Sequence, residues 1–271
     1  MTDPDPAPKS AAAPDPELVA ALVADIRARA PFRDPGEAAI PDKAAAYAVQ
    51  AAVVAALAPD HGGIGGRKIA WNWPDQIASQ GLGEPAAACV LADMIVPSGV
   101  ALEAADYRSF AIEPEIAAVL KAPLAPREGG HDRASAAAAV GRFHPAFEFL
   151  DPRAGKAPRP FAIVAQNINS RGLALGGPGL TPDEVDDGFW TGLRSLVTQD
   201  GETILDVTPG WPMHPLDSVA FLANRFNALG QTLAAGETLL LGTHLPPRPI
   251  AAPASLRFEA GALGAVAFTL A

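Results

Sequence analysis

The stretch Phe110-Ala-Ile-Glu-Pro-Glu-Ile-Ala-Ala-Val-Leu120 places two glutamates inside an otherwise apolar run that is typical of a buried β-strand. Side chains two positions apart leave the same face of a strand, so we expect Glu113 and Glu115 to point into one space. Two like charges that are buried together raise at least one pKa, or cost free energy, unless a proton or a cation compensates them. The pattern therefore indicates a divalent metal ion beside this strand.

A third glutamate fits the same interpretation, because Glu148 lies between Phe147 and Phe149 in a second apolar run. Three carboxylates would form an all-oxygen site, which suits Mg²⁺ or Mn²⁺ better than Zn²⁺, an ion that prefers nitrogen and sulfur ligands. The alternative is a pair of solvated glutamates at a strand edge and a third, unrelated one. The spacing alone leaves both interpretations open.

Six short segments of the chain, two of which contain these glutamates, can be compared as an ordered set with known families. They are Ala46-Tyr-Ala-Val-Gln50, Gly66-Arg-Lys-Ile69, Ile112-Glu-Pro-Glu-Ile116, Glu148-Phe-Leu-Asp-Pro-Arg153, His214-Pro-Leu-Asp-Ser-Val-Ala-Phe-Leu-Ala-Asn224 and Leu240-Leu-Gly-Thr243. In this order they resemble the 2-keto-4-pentenoate hydratase and 4-oxalocrotonate decarboxylase branch of the fumarylacetoacetate hydrolase family. The resemblance spans about residues 16 to 271.

The resemblance implies a mixed β-sandwich roll in which Glu113, Glu115 and Glu148 bind one Mg²⁺ or Mn²⁺ ion. It also implies a homo-oligomer, and association with a paralogous decarboxylase or hydratase subunit is a further expectation. We expect Trp73, Gln166, Ser170 and Thr243 to contact the substrate.

Lys68 is the candidate catalytic residue. Beside a metal, its ammonium could bind a substrate carboxylate or, with a lowered pKa, move protons. A surface lysine on a strand is the alternative. The family's Gly-x-Lys-Ile-Gly lysine lies in the active site, and this sequence departs from that motif only at Ala70.

Other positions depart further from the family pattern. Gln166 replaces an acidic residue in Ala165-Gln-Asn-Ile-Asn-Ser170, and Ala86 replaces another in Pro85-Ala-Ala-Ala88. Where the family has Gly-Leu-Thr-Ser after the lysine, this chain has Ala70-Trp-Asn-Trp73. We expect the two tryptophans to share one strand face and at least one of them to narrow the pocket, with core packing as the alternative for the other. We also expect metal binding to be retained and the proton-transfer groups to be remodelled.

The resemblance therefore favours a metal-dependent lyase, a hydratase acting on a small 2-oxo acid or its dienol such as 2-hydroxypenta-2,4-dienoate, as in aromatic catabolism. The alternative reaction is decarboxylation of a vinylogous 2-oxo diacid of the 4-oxalocrotonate type, because it needs the same electron sink. A noncatalytic partner subunit with the same fold is the third alternative, since two acidic positions are lost.

Composition and the absence of certain motifs disfavour several other functional classes of protein. The 271 residues carry a net charge of −10 and have no Lys/Arg cluster longer than a pair, which disfavours nucleic acid as a partner. The single Cys89 excludes an internal disulfide and a cysteine-rich zinc site. The sequence has no G-x-S-x-G nucleophile motif and no H-E-x-x-H motif, so a serine hydrolase is disfavoured. His214 is interpreted as a helix-start residue.

The N-terminus is acidic and proline-rich, unlike a signal peptide, and the longest apolar run, residues 44–59, is too short to cross a bilayer comfortably. We therefore expect a cytoplasmic protein without a membrane segment.

The chain is predicted to be an α+β protein with three parts: a disordered tail (1–14), an N-terminal helical region (15–60) and a mixed β-roll catalytic domain (61–271). Helices are predicted from Asp15 to Pro31, over 43–57, and from His214 to Gly230, with a stripe formed by Leu216, Val219, Leu222, Phe226 and Leu229. Strands are predicted at residues 67–71, 88–91, 110–120, 146–150, 161–165, 193–197, 238–241 and 265–270, with a hairpin turn at Asp200-Gly201.

Overall fold

Two β-sheets and seven α-helices make up the part of the chain described by the computed structural model, residues 13–153, 158–208, 212–243 and 245–271. The helices are α1 (Pro16–Arg27), α2 (Lys43–Leu57), α3 (Pro74–Gln80), α4 (Arg133–Ala139), α5 (Pro160–Ala165), α6 (Asp187–Gly192) and α7 (Pro215–Ala228). The strands are β1 (Ile64–Ala70), β2 (Ala86–Leu91), β3 (Ile95–Pro97), β4 (Val100–Leu102), β5 (Ala111–Leu120), β6 (Val140–Leu150), β7 (Ser170–Leu175), β8 (Ser195–Gln199), β9 (Glu202–Val207), β10 (Thr238–Leu240), β11 (Arg248–Pro249), β12 (Ala254–Glu259) and β13 (Ala265–Leu270). The predicted α+β class is confirmed.

The larger sheet has the order β2-β1-β10-β5-β6-β7-β3, and β11 also pairs with β5. The smaller sheet has the order β4-β13-β12-β8-β9. Both are mixed: β1 runs parallel to β10 and β13 runs parallel to β4, whereas β5 and β6 form a long antiparallel pair. This pairing brings the strand of Lys68 within two places of the strand of Glu113.

An aromatic core lies between the two sheets. Phe147 and Phe149 of β6 pack edge to face against Phe268 of β13, with ring centroids 5.2 and 5.1 Å apart. Since alternate residues of a strand face opposite ways, this core leaves Glu148 on the other face of the larger sheet.

Each of the two N-terminal helices begins directly after a capping aspartate. The Asp15 carboxylate accepts a hydrogen bond from the Glu17 N–H, and Pro16 occupies the first turn of α1. In α2 the Asp42 carboxylate accepts from the Ala45 N–H. Helix α2 matches its predicted bounds, whereas α1 ends at Arg27, before Pro31.

Helix α7 and the β8–β9 hairpin also form as predicted. The His214 side chain accepts a hydrogen bond from the Leu216 N–H, so its assignment as a helix-start residue is confirmed. Asp200 and Gly201 both have positive φ at the turn between the two strands. Leu229 is an error in the predicted apolar stripe, because it is 37% exposed.

One predicted strand is wrong, and another ends one residue earlier than predicted. Residues 161–165 form helix α5, which Pro160 begins and which packs on α2, where the Gln50 amide donates to the Val164 carbonyl at 2.9 Å. Strand β1 ends at Ala70 rather than continuing, because Trp71 adopts a left-handed φ of 54° and turns the chain. Trp71 and Trp73 therefore do not share a strand face.

Most of the predicted tail, residues 1–12, lies outside the described residues. The division into a helical region and a β-roll domain stays a prediction, although one hydrophobic cluster contains side chains of both, such as Leu22 of α1 and Phe147 of β6. Among the described residues, no helix is long and apolar enough to span a membrane.

Candidate metal centre

The register of β5 and β6 brings three glutamates together. Glu113 lies directly opposite Glu148 in the antiparallel pair, and Glu115 follows two residues later on the same face. One carboxylate oxygen from each residue lies within 4.8 Å of those of the other two. Glu115 and Glu148 are fully buried and Glu113 is 8% exposed, which rules out the interpretation as solvated glutamates at a strand edge.

Burial makes this group of carboxylates unfavourable in its fully ionised form. Loss of hydration, followed by the charge of Glu148, raises the pKa of Glu113 to about 8. Burial followed by the charges of Glu148 and Glu113 holds the pKa of Glu115 well above its ordinary value. Burial also raises the pKa of Glu148, against the opposing effect of Lys68. A cation placed among the three would favour their ionised forms.

Lys68 supplies one positive charge at this site. Its Nζ lies 2.5 Å from Glu148 Oε1, and both side chains are almost completely buried. Alternation along β1 sends the neighbouring Arg67 to the opposite face, where its guanidinium stacks on Phe226 of α7 at 4.5 Å. Lys68 is therefore not the surface lysine of the alternative interpretation.

The segment after β10 holds Glu115 from the other side. The Gly242 N–H donates to Glu115 Oε2 at 3.0 Å, which leaves Oε1 buried with no hydrogen-bond donor among the described residues. Gly242 has a φ of 98°, and a Cβ there would lie 2.3 Å from Asn72 Nδ2, so only glycine fits. The orphaned oxygen and the all-oxygen donor set fit a hard divalent cation such as Mg²⁺ or Mn²⁺.

A cavity of about 250 Å³ opens onto this centre. Its lining includes Lys68, Glu113, Glu115 and Thr243. The Thr243 hydroxyl donates to the Leu245 carbonyl at 2.7 Å, so it shapes the loop after β10 as well as lining the cavity. Of the four expected substrate contacts, Thr243 is the one that the structure brings to this cavity.

The other three expected contacts lie elsewhere. The Trp73 indole N–H donates to the Thr243 carbonyl at 3.2 Å, and Trp71, not Trp73, lines the cavity. Gln166 and Ser170 line a separate cavity of about 230 Å³. The Gln166 amide is engaged there by the Arg153 guanidinium at 2.6 Å and by the Arg33 carbonyl at 2.8 Å. Gln166 was expected near the substrate because of its position in the motif of residues 165–170. Its side chain lines the separate cavity and not the cavity beside the three glutamates.

Sequence reasoning missed four amide side chains that line the metal cavity, namely Asn72, Gln76, Gln80 and Asn169. Asn169 ends a run of three consecutive residues, 167–169, with positive φ, which is unusual for non-glycine residues. The two asparagines in this run were the available signal, because Asn adopts the left-handed conformation more readily than other residues.

The histidines contribute little to this site. His61 pairs with Asp93 at 3.0 Å, and His144 Nδ1 lies 3.1 Å from the Gly176 carbonyl. Neither lines the metal cavity. His244 lies outside the described residues.

Comparisons with known proteins support the family resemblance that the order of the motifs indicated. The chain is 28% identical over 231 residues to the 2-oxo-hept-4-ene-1,7-dioate hydratase of Escherichia coli, covering 82% of this chain and 84% of that protein. It is 28% identical over 247 residues to a 2-keto-4-pentenoate hydratase of Burkholderia vietnamiensis, covering 90% and 91%. No protein-family model matches the chain.

Among solved structures, 4-oxalocrotonate decarboxylase from Pseudomonas putida G7, complexed with magnesium and adipate, superposes with a TM-score of 0.82. The two chains are 26% identical, and the match covers 95% of this chain and 98% of the decarboxylase. The resemblance to the 2-keto-4-pentenoate hydratase and 4-oxalocrotonate decarboxylase branch is confirmed, and the fold is of the fumarylacetoacetate hydrolase type.

Proposed function

We propose that this chain is a divalent-metal-dependent carbon–oxygen lyase that adds water to a small 2-hydroxydienoate, with 2-hydroxypenta-2,4-dienoate as the reference substrate. The observation that carries the proposal is the buried group of Glu113, Glu115 and Glu148 beside Lys68, at one end of a cavity large enough for a small acid. The names of the two hydratase relatives support the reaction type.

Glu113, Glu115 and Glu148 are the proposed metal ligands, with Mg²⁺ or Mn²⁺ as the ion. When bound, the metal would supply Lewis-acid chemistry, stabilising negative charge on the 2-oxo oxygen of the substrate. The Gly242 N–H fixes one oxygen of Glu115, so the free oxygen Oε1 is held ready for coordination.

Lys68 is proposed to bind the substrate or to move a proton. Hydration first moves a proton from the 2-hydroxyl group to C5, which leaves a double bond between C3 and C4 in conjugation with the 2-oxo group. Water then adds its hydroxyl at C4 and its proton at C3. Lys68 is the charged nitrogen beside the carboxylates that can donate or accept such a proton across the cavity.

Decarboxylation of a vinylogous 2-oxo diacid is the second candidate reaction. The 0.82 TM-score against a 4-oxalocrotonate decarboxylase favours it, and the same electron sink would serve. A noncatalytic partner subunit is the third candidate, because Ala86 and Gln166 stand where the family pattern has acids, and Ala86 is fully buried in β2.

The test is turnover of 2-hydroxypenta-2,4-dienoate and of 4-oxalocrotonate by the purified chain, with Mg²⁺ and after chelation. Metal-dependent loss of the dienoate without CO₂ release supports the hydratase. CO₂ release from 4-oxalocrotonate supports the decarboxylase instead. Inactivity on both with metal bound, but activity after mixing with a paralogous enzyme, supports the partner subunit.

We also propose a homo-oligomer, as expected from the resemblance to the family and from the high alanine content of the sequence. Light scattering at micromolar concentration tests this, and a monomer mass would reject it. The expected paralogous subunit is tested by co-purification of the two chains.

A further inference from the structure

Amides are the most numerous uncharged polar side chains that line the metal cavity. Gln76 and Gln80 are four residues apart on α3, so both present their side chains on the same side of the helix. Asn72 and Asn169 join them from the turns that follow β1 and α5. Lys68 is the only cationic side chain among the described residues that line this cavity.

Lys68 places its positive charge against the carboxylates. Its Nζ contacts Glu148 Oε1, and a divalent ion together with this ammonium would just balance three ionised glutamates. One substrate carboxylate can bind beside the metal. A second carboxylate at the far end of the substrate would lie among amides, with no second cation to pair with among the described residues that line the cavity, which is unfavourable.

Asn72 shows that the cavity is arranged for polar but neutral contacts. It is 4% exposed, and neither its Oδ1 nor its Nδ2 has a hydrogen-bond partner among the described residues. The same is true of Asn169 Oδ1. Buried amide groups are normally hydrogen-bonded, so these groups indicate a ligand or water that both donates and accepts.

The backbone holds these amides in place at some cost. Trp71, which precedes Asn72, and Asn169 itself have φ values of 54° and 57°. A left-handed conformation is strained for a bulky residue such as tryptophan, and strain of this kind concentrates at binding sites. Asn72, Gln76, Gln80 and Asn169 are called the amide wall below. The Asn72 amide packs against Gly242, the residue that holds Glu115, so the amide wall lies beside the metal centre.

We infer that this site selects 2-oxo monoacids whose far end is uncharged and discriminates against 2-oxo dicarboxylates of the same length. This inference rests on the proposed function and deepens it. It separates the chain from its relative named for a heptenedioate and groups it with the relative named for a pentenoate.

The test compares two unreactive ligands of equal length, 2-oxohexanoate and 2-oxohexanedioate, by calorimetric titration of the full chain loaded with Mg²⁺. The monoacid is expected to bind at least about tenfold more tightly, because a buried unpaired carboxylate opposes binding. Equal or tighter binding of the diacid would overturn the inference. If neither ligand bound, both the inference and the proposed 2-oxo acid site would be overturned.

Gln80→Lys sharpens the test, since it adds a cation to the amide wall. It is expected to raise diacid affinity about tenfold relative to monoacid affinity. Gln199→Lys, which makes the same charge change on β8 outside the cavity, is the control and should leave the ratio unchanged. An unchanged ratio in Gln80→Lys would count against the amide wall as the determinant.

Turnover of 2-hydroxypenta-2,4-dienoate is measured on the same preparations. Monoacid-selective binding without turnover would reject the lyase and retain the inference. Turnover combined with preferential diacid binding would support the lyase and overturn the inference.

Discussion

The two faces of the β5–β6 strand pair differ in polarity: one is aromatic and the other is acidic. One face carries Phe147 and Phe149 into a dry aromatic core against Phe268. The other carries Glu113, Glu115 and Glu148 into a buried group of carboxylates. Adjacent residues of the same strand thus contribute to an aromatic core on one face and to the candidate metal site on the other, so substitutions on the two faces should have separable effects.

Phe147→Ala should have the largest effect on folding. Removing a fully buried aromatic ring leaves a cavity and is expected to lower the free energy of unfolding by about 3–5 kcal/mol. Urea denaturation measures this change. Metal affinity of the folded protein should stay within a few-fold of wild type, and a large loss would mean that the faces are coupled. Leu229→Ala, at a 37% exposed position, is the control.

Glu115→Gln should have the largest effect on the metal face. The amide oxygen can still accept from Gly242, but the charged ligand is lost, and Mn²⁺ affinity should fall about 100-fold, which corresponds to about 2.7 kcal/mol. Calorimetric titration measures the affinity. Glu202→Gln on the exposed edge of β9 is the control. Unchanged affinity, or an ion found elsewhere in Mn²⁺-soaked crystals, would contradict the assigned ligands.

Lys68→Met should lower turnover about 100-fold, because it removes a charged partner for the substrate and a group that moves protons. Methionine retains the apolar stem, so the fold should survive, as circular dichroism can verify. Lys121→Met at an exposed position provides the comparison. Wild-type turnover in Lys68→Met would reduce this lysine to a structural role.

The pH dependence of stability should differ between the metal-free and metal-loaded protein. The pKa of Glu113 is raised from 4.5 to about 8 in the folded state, so its contribution to stability is present at low pH and is lost as the pH rises toward 8. Without metal, the melting temperature should therefore fall by several degrees between about pH 5.5 and 8.5 relative to the Mg²⁺-loaded protein.

Thermal melts with chelator and with Mg²⁺ across this range measure that difference. Glu113→Gln should reduce it, since the titrating group is removed. A gap between the two melting curves that stays constant with pH would contradict this account.

Trp73→Ser should have the smallest effect. Its indole bonds the Thr243 carbonyl rather than lining the cavity, so we expect a loss of about 1 kcal/mol in stability and no change in the ratio of substrate turnover rates. Trp71→Ser, at the residue that does line the cavity, should change that ratio. A changed ratio in the Trp73 variant alone would reverse the two roles.

The sequence by itself determined the metal-site candidates and most of the regular elements. Alternation along a strand is a local property of the backbone, so Glu113 and Glu115 had to share a face wherever the strand was placed. Capping residues likewise located the starts of α1 and α7, because a cap acts within one turn of its helix.

Only the tertiary structure decided which residues meet at the candidate site. Strand register across a sheet depends on contacts far apart in the chain, and it placed Glu148 opposite Glu113 and Lys68 against Glu148. Local pattern misassigned residues 161–165 as a strand, because a short apolar run does not reveal whether it packs as a helix or a strand. The turns at Trp71 and residues 167–169 brought Asn72 and Asn169 to the cavity and left Gln166 outside it, through backbone conformations that residue type alone does not specify.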